Sequence, residues 1–83
     1  MTRRPDWSRP LPQTLTIPGV MTLRTLADVR AFIGHVPKAR RELNTWQIVT
    51  RALNEAAAGS EPMAALAPLW IVLQLERVPF RFG

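Results

Sequence analysis

The stretch PMAALAPLWIVLQL, residues 62 to 75, limits what this chain can fold into more than any other segment. From Pro62 to Leu73 it carries no polar side chain, and Pro68 interrupts it; Glu61 precedes it, and Gln74, Glu76 and Arg77 follow. Those 12 apolar residues fall short of the roughly 20 needed to cross a hydrocarbon core about 30 Å thick, so no membrane span is expected. The segment must instead be covered by protein. Its core, LWIVLQLER, is apolar nearly all round, the pattern of a helix at the centre of an assembly. Either the rest of the chain surrounds it, or a face including Leu69 or Trp70 meets a second subunit in a homodimer.

Pro68 bears on how this helix begins. An interior proline cannot donate to the carbonyl four residues back, here that of Ala64, and its ring clashes there at a cost of about 3 kcal/mol. The reading that follows is a break or kink, with the regular helix over 68–76. Ser60 serves as a cap, Glu61 sits at the positive end of the dipole, and Pro62 falls where first-turn donors have no partner.

Two further helices are available as cover. In TLADVRAFIGHV, Leu26, Val29, Phe32, Ile33 and Val36 share one face, Thr25 with Asp28 forms an N-terminal capping box, and Pro37 ends the run, which predicts a helix over 25–36. In LNTWQIVTRALNEAAAG, Asn44 as N-cap, Gln47 reaching back to it and Leu43 stapled on Ile48 predict a start at 45. Trp46, Val49, Leu53 and Ala56 or Ala57 form its buried stripe, and Gly59 closes it after 58. Two stretches alternate as strands do, QTLTI at 13–17 and VPFRF at 78–82, and the need to satisfy their backbone groups predicts that they pair. Residues 1–12, MTRRPDWSRPLP, hold three of the eight prolines and read as a flexible Pro/Arg-rich tail. The expected architecture is therefore mainly α: one small three-helix domain over 13–83 with a minor two-stranded ribbon.

With 83 residues, no cysteine and a single histidine, His35, this domain has neither a disulfide nor a metal cage to staple it, and packing must supply its stability. The lack of cysteine suits a reducing cytoplasm. Asp6 and three prolines stand where an export signal would need an apolar run, so none is expected.

A net charge of +5 raises nucleic acid as a partner. Its distribution argues for less: Arg3, Arg4 and Arg9 against Asp6 put +2 of it in the first 12 residues, and only Lys38, Arg40 and Arg41 cluster. A loose helix-turn-helix over 25–58 would present Arg51 beside that cluster as a polyanion contact. The link of about eight residues exceeds the three to four usual in that motif, and Arg51 is the only basic residue of the second helix. Catalytic chemistry has still less to stand on. There is no tyrosine, Ser8 and Ser60 have no adjacent base, the carboxylates are dispersed, and no glycine-rich loop could cradle phosphate. No catalytic residue, metal ligand or cofactor is expected.

The combination IPGVMTLRTLADVRAFI, HVP, TWQIV with ALNEAAAG, and LQLERV resembles a group of short uncharacterised proteins of rhizobial-type alphaproteobacteria, over about residues 9 to 80. VMTL with LADVR, and TWQ, are its most specific elements. The resemblance implies a bacterial cytoplasmic protein and assigns no functional residue. The expectation from sequence is thus a non-enzymatic protein-interaction or self-associating domain, with a basic nucleic-acid-binding module as the alternative.

Overall fold

The computed structural model describes residues 4–82, and it corrects the expected fold class. Of the described residues 51% are helical and 19% lie in strands, and three antiparallel strands form a sheet beside four helices, so this is a small α+β fold and not a mainly α one. The elements run β1 (Pro10–Ile17), β2 (Met21–Thr25), α1 (Leu26–Gly34), α2 (Lys38–Arg41), α3 (Asn44–Ala57), α4 (Met63–Leu75) and β3 (Arg81–Phe82).

The sheet has the order β2-β1-β3. A hairpin makes its first pair: Pro18 and Gly19 occupy the central positions of a tight turn closed by Val20 N–H to the Ile17 carbonyl at 3.0 Å, with Gly19 at φ 75°. This is the type II turn, in which proline presets the first central residue and glycine takes the positive φ of the second. The expected ribbon partner is present but short, with Leu15 opposite Phe82 and Thr16 opposite Arg81. Pro10 and Pro12 are tolerated because Pro10 opens the strand and the register with β2 slips between Pro10 and Leu15.

Residues before β1 were expected to lie loose, yet from Asp6 onward they strap the domain. Asp6 N–H bonds the Ala57 carbonyl at 2.7 Å, Leu26 N–H the Arg9 carbonyl at 3.0 Å, and Ala27 N–H the Trp7 carbonyl at 2.9 Å. The Arg9 guanidinium donates to the Ala56 and Ser60 carbonyls at 2.6 and 2.7 Å, a cation at the negative end of α3. Arg30 lies over the Trp7 ring, 4.5 Å from its centroid. The Ser8 hydroxyl and backbone N–H both bond Asp6, which holds that carboxyl below its ordinary range. The part of the expected tail before Arg4 lies outside the described residues.

The helix ends follow local chemistry, with three corrections. Thr25 caps α1 as expected: its hydroxyl accepts from Asp28 N–H at 3.3 Å while Asp28 Oδ2 accepts from Thr25 N–H at 3.2 Å. In α3, Leu43 and not Asn44 is the N-cap, Gln47 donates to the Arg41 carbonyl at 3.1 Å and not back to the cap, and Leu43 and Ile48 are both about half exposed. Ser60 does not cap α4. It serves as the residue after Gly59 in the closing turn of α3, its N–H bonding the Glu55 carbonyl at 2.9 Å. Nor does α4 break at Pro68, which lies inside one helix running from Met63 to Leu75.

The core forms between one face of the sheet and the inner stripes of α1, α3 and α4. Leu15, Ile17 and Leu23 from the strands meet Leu26 and Val29, then Trp46, Val49 and Leu53, then Leu69 and Leu73, all at most 2% exposed. No buried residue is polar or charged among those described. At the α1/α3 junction Phe32 and Trp46 pack with ring centroids 6.3 Å apart.

Candidate interaction surface

Helix α4 decides what the surface offers. Its inner stripe, Ala65, Leu66, Leu69, Val72 and Leu73, is buried at the spacing of one helix face. Everything else on the helix is apolar too, save Gln74. The residues turned outward recur at the same spacing: Met63, Ala64 and Ala67, then Trp70, Ile71, Gln74 and Leu75. Ile71 is 53% exposed, Leu75 64%, Met63 49% and Trp70 41%. A helix that covers one apolar face and leaves a second to water is half-partnered, and contiguous apolar surface of this kind marks an interaction site in soluble domains.

The face is widened on both sides. Toward α3, Ile48 (48% exposed) borders a groove of about 210 Å³ lined by Thr45, Pro68, Ile71, Val72 and Leu75. Toward the sheet, Phe82 (46% exposed) and Gln13 border a hollow of about 270 Å³ with Met63, Ala67 and Trp70. The two depressions flank α4 along its length, and no charged side chain lines either.

Of the residues singled out from sequence for self-association, Trp70 lies on this outer face, whereas Leu69 is fully buried and belongs to the core. The basic residues lie elsewhere. Lys38, Arg40 and Arg41 are three of the four residues of α2, with Ala39 between them, and Arg51 is exposed on α3. Arg40 is engaged within the fold: its guanidinium meets Glu76 Oε2 at 2.7 Å, while Glu76 Oε1 accepts from the Trp46 indole N–H at 2.9 Å. Glu76 thereby ties α2 and α3 to the end of α4. The insertion of α2 between α1 and α3 also separates these two helices further than a helix-turn-helix link does.

Sequence reasoning missed Met63, Ile48, Ile71 and Leu75 as surface residues. The signal was available in the all-round apolarity of the segment, but starting the helix at Pro68 leaves too few turns for two separate faces to be counted. A hollow of about 640 Å³ on the sheet is lined by Gln13, Thr14, Thr16, Thr22, Arg24 and Phe82, with no acid–base pair among them. Among the described residues no three His, Cys, Asp or Glu side chains gather as a metal cluster, and no helix is long and apolar enough to cross a membrane.

No protein-family model, curated protein or solved structure matches the chain.

Proposed function

We propose that this chain is a small non-enzymatic interaction domain that engages another protein through the outer face of α4. The observation that carries the reading is the charge-free band from Met63 to Leu75, exposed along the whole helix although the inner stripe of the same helix is fully packed. Burying an apolar side chain contributes about 25 cal/mol per Å², so leaving this band in water forgoes stabilisation that a partner restores. Reading the same chain as a nucleic-acid module has less behind it, because Arg40 is spent on Glu76 and the remaining cations do not line a groove with the apolar band. The absence of cysteine suits a bacterial cytoplasm, the compartment we propose.

In-cell photo-crosslinking tests the reading. A photoreactive amino acid at Ile71 should give a discrete protein adduct, and the same group at Glu55, an exposed polar position of α3, should not. No adduct from position 71, or equal adducts from both positions, would overturn it.

A further inference from the structure

Resting on that reading, we infer that the partner is a second copy of this chain, packed antiparallel, α4 against α4, about a two-fold axis at the level of Leu69. The face is self-complementary in that orientation and in no parallel one. Its central seam runs Ala64, Ala67, Ile71, Gln74. Counted outward from Leu69, Ala67 and Ile71 lie two residues to either side, and Ala64 and Gln74 lie five. Reversing one copy therefore sets each small alanine opposite a large side chain of the other: Ala67 against Ile71, Ala64 against Gln74. Two helices in parallel would instead stack isoleucine on isoleucine and leave alanine facing alanine across a gap, against the close packing that interfaces share with interiors.

Charge selects the same orientation. The seam itself is uncharged, but it is bounded by Glu61 before the helix and Arg77 after it, each eight residues from Leu69 and each exposed. Antiparallel packing brings Glu61 of one copy toward Arg77 of the other at both ends. Parallel packing sets like against like, and such complementarity governs orientation even where rim pairs add little affinity. The helix dipoles also oppose in the antiparallel pair. A two-fold contact uses the same patch on both copies, as this pattern requires.

The area is sufficient for a moderate dimer. Large side chains of roughly 150–250 Å² each, exposed by about half at Ile48, Met63, Trp70, Ile71 and Leu75, supply on the order of 500 Å² per chain before the alanines and Gln74 are added. Specific interfaces bury about 800 Å² per partner, and those somewhat smaller belong to the weak, transient class, so a reversible dimer is expected.

The cysteine-free chain makes the test clean. Ala64→Cys and Gln74→Cys are made separately, and each is oxidised alone and then mixed with the other. In the antiparallel pair, residue 64 of one copy lies about 15 Å along the axis from residue 64 of its partner, and likewise for 74, beyond the roughly 7 Å that a disulfide spans between Cα atoms. The mixture should give a covalent dimer and neither variant alone should. The native chain should pass from 9.4 kDa to twice that mass across a micromolar-to-millimolar series, and Ile71→Asp, an exposed site whose melting curve checks its fold, should abolish both effects. Dimers from each variant alone would overturn the antiparallel arrangement. Constant monomer mass with no crosslink would overturn self-association, and a photo-adduct of position 71 to a different protein would then still uphold the interaction domain.

Discussion

Replacing Pro68 by alanine should stabilise the domain, and the structure sets the size of the effect. Pro68 is the sixth residue of α4, so the donor it lacks would have met the carbonyl of Ala64, one turn back on the exposed face. A proline inside a helix costs about 3 kcal/mol relative to alanine. That figure is measured against the unfolded chain, so it already includes the freedom alanine restores to it. One loss offsets the gain: removing ring carbons that are half-buried beside Thr45, Ile48 and Val72 forfeits about 0.8 kcal/mol, one methylene's worth of burial. The net is about 2 kcal/mol in favour of alanine. At about 4–8 °C per kcal/mol for a domain of this size, the melting midpoint should rise by roughly 8–16 °C. The measurement is thermal and urea unfolding followed by far-ultraviolet circular dichroism, made in an Ile71→Asp background so that association does not add to apparent stability. An unchanged or lower midpoint would refute the reasoning, because it would mean that the packing of the proline ring beside α3 outweighs the hydrogen bond it removes.

Three other outcomes are expected. Leu69→Ala should cost about 2–5 kcal/mol in unfolding free energy, as for other large-to-small changes at fully buried sites, whereas Ile71→Ala, two residues on, should change monomer stability by about 0.5 kcal/mol or less; equal losses in urea melts would mean that the outer face is core. Arg77 holds φ 56° in the turn that closes α4, where Arg77 N–H bonds the Gln74 carbonyl and Val78 N–H the Leu73 carbonyl, a position that favours glycine. Arg77→Gly should therefore raise monomer stability by about 0.5–1 kcal/mol by urea unfolding, and a loss would show that the arginine side chain contributes more than its backbone costs. Fluorescence anisotropy with generic duplex DNA should give only weak binding that vanishes at moderate salt; binding retained near physiological salt would put the nucleic-acid reading ahead.

What could be read from the sequence follows from how local each determinant is. The capping box of Thr25 and Asp28, the buried stripe of α3 and the glycine that closes it depend on neighbours within a turn or two, and all three stand as read. The strand MTLRT was missed because five residues of weak alternation between a turn and a cap carry little periodic signal. With it went the sheet and the fold class. Pro10 and Pro12 led to the same error from the other side: proline argues against a strand unless the register happens to slip there, and the slip is a tertiary fact. The strap from Asp6 to Arg9 depends on carbonyls some 50 residues away, beyond any local rule. For the candidate surface, Trp70 was legible and Leu69 was placed on the wrong side, since in a helix apolar all round nothing local tells one face from the other.

The chain's three tryptophans occupy three different settings. Trp7 lies beneath a guanidinium in the strap, Trp46 is sealed in the core with its indole bonded to Glu76, and Trp70 stands on the outer face of α4. Each therefore reports on a separate event: release of the strap, opening of the α3–α4 junction, and docking of a partner. Retaining one tryptophan at a time, with phenylalanine at the other two, turns a single fluorimeter trace into a record of which of these happens first when the protein unfolds or assembles.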